Sequence, residues 1–474
     1  MDLPKDFVTR TRNLLGEKEF EKLEQGMNTP SPTSIRINPF KWENKLSEER
    51  VEWCENGYYL KQRKPFTFDP LFHAGAYYVQ EAASMFLDKV IKEYIDTPVT
   101  ALDLCAAPGG KSTLIRSALP AGSLLFANEY VKNRSQILAE NIIKWGNSDV
   151  IVTNNSPSDY SKFKNLFDFI LTDVPCSGEG MFRKDEMAIS EWSVDNVLNC
   201  QKRQKEILTD IWGTLKENGI LVYSTCTYNQ EENEDNVKWI VEELGAEILQ
   251  VPIDESWNIS GSLTNDNLSV YRFLPHRTKG EGLFMAVLRK KFKNVDSEDY
   301  DSLYLDERKE NKKNKKGIKG NNKATAVPEN IKQWIKNSDE FIFESDETTI
   351  TAIPKKIHDI YQMVKGKLRI IHHGIEIATI KGKDFIPSHS LALSTCLNRT
   401  KFCSVELDYN RAIAYLRKEA IVIDDSYPKG YVLFTYRGRP IGFAKNIGNR
   451  TNNLYPQEWR IRSSYTIEDD PSII

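Results

Sequence analysis

The chain has 474 residues, with 64 Lys and Arg against 67 Asp and Glu for a formal net charge of -3. That length allows about three domains, each with its own core, and the balance excludes a uniformly basic nucleic-acid binder while leaving room for a local basic face. No apolar run reaches membrane-spanning length, the first residues lack the order of a secretory signal, and seven cysteines form no CxxC pair, so a cytoplasmic chain off the membrane, with reduced thiols and no metal, is expected.

Residues 1–95 read as a small mixed domain. Phe7 to Leu15 and Gly16 to Leu23 have helical spacing, Thr33 to Asn38 alternates as a strand, and Tyr77 to Ile91 reads as a strand feeding a helix. From 96 to 292 strands and helices alternate, the pattern of a parallel sheet covered on both faces. The strand candidates are Ala101–Leu104, Ser123–Asn128, Val150–Val152, Phe167–Thr172, Gly219–Ser224 and Gly282–Arg289. A helix is expected from about Asn196 to Lys216, stopped by Gly219. Residues 293–328 hold a lysine-asparagine run typical of a flexible basic linker. A small α+β unit is expected over 329–395 and a β-rich unit over 396–474, the latter with a hairpin turning at Arg437-Gly438.

Within the alternating region, Val99 to Thr113 reads as strand, glycine turn and helix. Glycines there let backbone approach a ligand, and the helix start faces it with free N–H groups. A phosphate-binding loop of the P-loop type needs glycine where this chain has Cys105, so ATP hydrolysis is not expected. Glu129 follows Gly109 by the 20 residues expected of a carboxylate that accepts from ribose hydroxyls, which points to an adenosine-type cofactor.

Two further strands run into chemistry. One ends at Asp173, Pro175 and Cys176, the other at Cys226. Ligands of open parallel sheets sit above the carboxyl ends of the strands, so both thiols and Asp173 are expected in one crevice with the glycine turn. A thiolate suits attack at C6 of a pyrimidine, which makes C5 nucleophilic enough to accept a methyl group, and a carboxyl group near ring N3 can share the proton that this step requires. Chemistry alone does not say which thiol attacks.

Cys105-Ala-Ala-Pro-Gly-Gly-Lys111, Asp173-Val-Pro-Cys-Ser-Gly-Glu-Gly-Met-Phe-Arg-Lys-Asp185 and Tyr223-Ser-Thr-Cys-Thr-Tyr-Asn-Gln-Glu-Glu-Asn-Glu234 resemble, in order, the motifs of the Sun (Fmu) family of RNA 5-methylcytosine methyltransferases, in its bacterial RsmF-like branch. The resemblance implies an α/β, Rossmann-like S-adenosylmethionine-dependent domain, an N-terminal α+β RNA-binding domain, a small α+β domain and a PUA-like β domain. It implies that Cys105, Ala106, Ala107, Pro108, Gly109, Gly110 and Lys111 cradle S-adenosylmethionine, that Glu129 holds its ribose, and that Asp173 lies near both methyl donor and base. Cys226 would be the nucleophile and Cys176 would assist product release. Where the family often has an acidic residue near the adenine, Asn155 is the nearest equivalent, its carbonyl able to accept from an amino group.

Arg36, Lys184, Arg439, Lys445, Arg450 and Arg460 are the expected RNA contacts, positioning the substrate through phosphates without reading sequence. The partner implied is 16S ribosomal RNA or a small-subunit particle, met by a monomer. Transfer RNA or another ribosomal RNA remains open as substrate, as does a non-catalytic role in ribosome assembly.

Overall fold

A computed structural model describes residues 1–292, 327–465 and 470–474; the expected basic linker falls almost wholly outside them. Its N-terminal part begins with helices Lys5–Leu15 and Glu17–Met27, hinged at Gly16. Their apolar stripe, Phe7, Phe20, Leu23 and Met27, packs on Phe182, Trp192 and Tyr228. An antiparallel three-stranded sheet follows in the order Gly57–Leu60, Thr33–Ile37, Tyr77–Val79.

The centre is a nine-stranded sheet. Its parallel strands run in the order Leu215–Thr225, Phe167–Asp173, Thr100–Asp103, Leu124–Asn128 and Val150–Thr153. Near-continuous apolar runs such as Leu124-Leu-Phe-Ala127 suit strands buried on both faces. One face sets Ala101, Leu125, Val152 and Phe169 against Leu114, Ile115, Leu138 and Ile142. The other sets Leu102, Phe126, Ile151 and Ile170 against Tyr160, Leu208 and Ile211. Antiparallel strands Leu283–Lys290 and Val270–Phe273 extend one edge, and Ala246–Ile248 pairs with the first of them.

Two features depart from the expected elements. The helix expected to reach Lys216 spans Val194–Trp212, and Leu215 already pairs with Phe167, because Gly213 and Thr214 turn the chain and the Thr214 hydroxyl donates to Ile211 O. The opposite sheet edge is filled from far along the chain: Ile370–His373 lies antiparallel to Val150–Thr153, while Ile353, Ile357, Tyr361, Val364 and Leu368 pack into the core of that face.

Two four-stranded sheets complete the chain. One holds Phe341–Ser345, Thr349–Pro354, Ile375–Lys381 and Asp384–Pro387. The other holds Cys403–Glu406, Gly430–Tyr436, Arg439–Asn446 and Thr451–Asn453. Its expected hairpin turns where Arg437 and Gly438 both take positive φ, 46° and 70°, the backbone of a tight two-residue turn. Val432, Phe434 and Tyr455 of this unit share a core with Ile35, Ile37 and Tyr77. Among the described residues no helix is long and apolar enough to cross a membrane.

Candidate active site

Parallel pairing brings the carboxyl ends of the strands ending at Asp103, Asn128, Asp173 and Thr225 to one side of the sheet. The glycine turn rises there with Gly109 at φ 113°, a left-handed backbone that a side chain would strain. A Cβ at Gly109 would stand 3.2 Å from Leu138 Cδ1. The turn is pinned from behind: Ala106 N donates to Asn128 O at 2.8 Å, Arg134 Nη2 to Ala107 O at 2.9 Å and Asn141 Nδ2 to Pro108 O at 2.8 Å.

Below the turn, Asp103 is fully buried; one carboxylate oxygen accepts from Ser112 Oγ at 2.6 Å and the other has no partner. Burial pushes its pKa up to about 7. Glu129 closes the next strand, 4 % exposed, accepting from Val131 N at 2.8 Å.

The two thiols meet. Cys176 Sγ lies 3.0 Å from Cys226 Sγ, and the Cys226 amide donates to Cys176 Sγ at 3.3 Å. The Cys226 thiol against it, and then burial, hold the Cys176 pKa well above the ordinary thiol value. Lys111 Nζ donates to Asp173 Oδ2 at 2.8 Å. Burial works against the Lys111 charge, but Asp173 outweighs it and the lysine pKa is raised.

Buried polar groups fix the loops that carry the thiols. Glu232 accepts from Ser177 N at 3.1 Å, Gln204 Nε2 at 2.7 Å and Asn229 Nδ2 at 2.9 Å. Glu179 accepts from the amides of Tyr228 and Asn229 at 2.7 and 2.9 Å and from Trp192 Nε1 at 3.0 Å. Arg272 and Glu234, both fully buried, form a two-pronged pair with each contact at 2.7 Å, and Arg272 Nη1 donates to Tyr228 O at 2.6 Å. Each buried charge is hydrogen-bonded, so the network gives the Cys226 loop one rigid arrangement.

The structure thus gathers Lys111, Asp173, Cys176 and Cys226 beside the turn from Cys105 to Gly110, with Glu129 on the neighbouring strand end. Cys105 is partly buried, and burial pushes its thiol pKa up.

Asn155 is tied to the incoming edge strand: its Oδ1 accepts from Arg369 N at 3.0 Å and its Nδ2 donates to Arg369 O at 3.2 Å. One expectation is corrected. Arg36 does not face solvent or RNA. It is 1 % exposed, donates through Nε to Gln80 Oε1 at 2.8 Å and through Nη2 to Thr113 Oγ1 at 2.6 Å, and lies over the Trp145 ring. It ties the N-terminal sheet to the first turn of the helix after the glycines.

Of the other basic residues, Lys184, Arg450 and Arg460 are exposed, Lys184 pairing with Glu281 at 3.2 Å. Arg439 stands over Trp42, and Lys445 lies 4.0 Å from Asp384. Sequence reasoning did not single out Asp103, Glu179 or Glu232. Glu179 and Glu232 lie inside the quoted motifs, and acidic residues beside a turn in an otherwise apolar strand-end segment were the available signal.

Comparison with known proteins agrees with this geometry. Residues 95–289 match the family model for 16S rRNA methyltransferase RsmB/F, residues 3–82 that for the N-terminal domain of 16S rRNA methyltransferase RsmF, and residues 402–461 that for the methyltransferase RsmF PUA domain. A protein of Aliivibrio fischeri strain ES114 named ribosomal RNA small subunit methyltransferase F is 30% identical over 452 residues, 90% of this chain and 91% of that protein. Its namesake in strain MJ11 is 29% identical over 96% of this chain and 97% of its own length. Among solved structures, a methyltransferase homolog protein from Pyrococcus horikoshii superposes with a TM-score of 0.52 at 28% identity, covering 60% of this chain and 95% of that one. The crystal structure of NSun6 from Pyrococcus horikoshii with SFG shares the fold at a TM-score of 0.52 and 22% identity, over 61% of this chain and 99% of its own. The chain therefore belongs to the RsmB/F family of ribosomal RNA methyltransferases, with the N-terminal and PUA domains of the RsmF branch.

Proposed function

We propose that this protein transfers a methyl group from S-adenosylmethionine to C5 of cytosine in small-subunit ribosomal RNA, acting as a cytoplasmic monomer. The observation that carries the reading is the pair of thiols 3.0 Å apart beside the Lys111–Asp173 ion pair.

The residues present fit the cofactor. The left-handed turn at Gly109 packs closely on Leu138 and Asn141 and brings the start of the following helix to the strand ends, Glu129 stands at the end of the next strand for ribose hydroxyls, and Asp103 keeps one buried carboxylate oxygen unmatched beneath the turn. Cys105 to Lys111 would hold the amino-acid end at the helix start, where free N–H groups favour a carboxylate. When bound, S-adenosylmethionine supplies an electrophilic methyl group.

The target cytosine must leave its stack to expose C6. Cys226, as thiolate, adds to C6, and the electron pair displaced reaches N3, where the Lys111–Asp173 pair delivers a proton. C5 is now an enamine carbon and takes the methyl group. Once Cys226 is bonded to carbon it no longer competes with Cys176 for a proton, which relieves the first cause of the raised Cys176 pKa. Cys176, having released its own proton to water, takes the C5 proton. The C6–S bond breaks, and Cys226 departs as thiolate while N3 returns its proton to the Lys111–Asp173 pair.

Methylation of transcribed small-subunit ribosomal RNA with methyl-labelled S-adenosylmethionine, followed by bisulfite sequencing, tests the reading. Protection of one or more cytosines by the wild type and none by Cys226→Ser is expected. Methylation of transfer RNA alone would transfer the assignment to that substrate.

A further inference from the structure

A cavity of about 180 Å³ opens where the N-terminal part, the segment before residue 400 and the C-terminal sheet meet, far in sequence from both thiols. Four basic side chains line it: Lys41 from the N-terminal part, Lys336 and Arg399 from the segment after the linker, and Arg439 from the C-terminal hairpin. No carboxylate lines it, and none of the four forms an ion pair among the described residues. Like charges brought together around a hollow whose remaining lining is largely apolar repel one another, an arrangement that an anion between them would reverse.

Donors are left over as well as charge. The Lys41 ammonium has three N–H groups, and two are accounted for by Ala74 O at 2.8 Å and Lys144 O at 2.6 Å. Its surroundings pull its pKa down to about 7, first through burial and then through Arg439, so the third N–H belongs to the charged form, which an anion in the cavity would favour. Ser394 Oγ accepts from Cys396 N, leaving its own hydrogen to donate, and Ser394 lines the same cavity. Arg399 uses one guanidinium nitrogen on Gly438 O at 3.1 Å and keeps the rest of its fork.

We infer that this three-way junction is a phosphate-binding site formed by Lys41, Lys336, Arg399 and Arg439, and that its ligand is a backbone phosphate of the RNA substrate. The RNA part rests on the function proposed above; the phosphate chemistry does not. A phosphate seated there would touch the N-terminal part and both C-terminal units at once, at a junction whose shared core already holds them in place.

The test uses the full chain and a double variant, Lys336→Gln with Arg399→Gln, two exposed side chains whose loss leaves the core intact, with Lys89→Gln as a remote control. Binding of transcribed small-subunit ribosomal RNA is measured across a salt series. The site predicts at least about a tenfold loss of affinity at 0.1 M salt and a log–log salt slope smaller by about one to two, with S-adenosylmethionine affinity unchanged and the control like wild type. In parallel, unfolding temperature is followed in inorganic phosphate against chloride at matched ionic strength. Stabilisation of the wild type but not the double variant, with RNA affinity unaltered, upholds the phosphate site and makes free phosphate its source. Equal RNA affinity, equal slope and no phosphate effect overturn the inference. A wild type that binds no ribosomal RNA but is stabilised by phosphate would defeat the RNA reading and keep the site.

Discussion

Cys176 and Cys226 come from the ends of adjacent parallel strands, 50 residues apart in sequence, yet their sulfurs lie 3.0 Å apart and the amide of one donates to the sulfur of the other. Two thiolates at that separation would repel strongly, so the pair holds at least one proton and the two sulfurs carry unlike tasks. The division proposed here gives attack to Cys226 and removal of the C5 proton to Cys176.

Substituting each separates those tasks. Cys226→Ala should lower methylation by at least about a thousandfold, since the division of tasks leaves Cys176 as a base and not as the group that bonds C6. Cys176→Ala should attack and methylate but fail to finish, leaving protein joined to RNA. A slowly migrating species on a denaturing gel, formed only with S-adenosylmethionine and abolished by adding Cys226→Ala, is the expected result. An adduct formed by Cys226→Ala instead would reverse the roles.

Lys111 and Asp173 should behave as one unit. Asp173→Asn keeps the shape but removes the charge that keeps Lys111 protonated and in place at 2.8 Å. Its kcat should fall by about a hundredfold or more, the scale of a lost acid-base pair. Lys111→Met should fall similarly, and the double variant should fall no further than the worse single one. Single-turnover rates with saturating RNA check this, and strictly multiplicative losses would show that the two act separately.

Much of this crevice was legible because its signals are local. Apolar runs broken by Pro108-Gly109-Gly110, by Pro175-Cys176 and by Cys226-Thr227 mark strand ends, and parallel pairing then brings strand ends together. Arg36 was misread because alternation shows a strand without showing what covers it. The sheet carrying it is sandwiched, so four of the five residues of Thr33–Ile37 are buried and both faces point into protein. The tie between Asn155 and Arg369 was not legible because the two lie 214 residues apart, and no local pattern in Ile370-Ile-His-His373 announces that it will complete another unit's sheet.

His389 predicts an acid-sensitive step in stability. Both its ring nitrogens are shut away from solvent without a partner, and the ring meets Tyr455 and Trp459 edge-on at 4.9 and 5.1 Å. Burial, then the charges of Lys144 and Lys41, pull its pKa down from 6.5 to about 3. Below pH 6.5 the unfolded chain takes up a proton that the folded chain refuses, so stability present above that pH is lost as pH falls toward 3. The loss is about 2 kcal/mol by pH 5. His389→Phe keeps the ring packing and removes the titration. Chemical denaturation should find it as stable as wild type or more so at pH 7, with its advantage growing at pH 5. A constant difference across that range would place the titrating group elsewhere.

Asn155→Ala distinguishes a residue that holds the sheet edge from one that holds adenine. The side chain makes two hydrogen bonds to the Arg369 backbone, at 3.0 and 3.2 Å, and the neighbouring Asn154 N donates to Arg369 O at 2.9 Å, so the register of the edge strand survives the substitution in part. Losing two largely buried bonds should cost about 1–3 kcal/mol, read as a lower denaturant midpoint with an unchanged slope. Because the amide is already satisfied within the protein, S-adenosylmethionine affinity measured by calorimetry should change less than about threefold. If the Asn155 carbonyl did accept from the adenine amino group, its removal would cost at least about tenfold in affinity, one hydrogen bond's worth of discrimination. Arg369→Ala is the matching control: it keeps the backbone N–H and C=O that Asn155 uses while deleting an exposed side chain, so neither stability nor cofactor affinity should move. A large loss of cofactor affinity in Asn155→Ala with Arg369→Ala silent would return the adenine to Asn155 and leave the edge strand as the element that aims it.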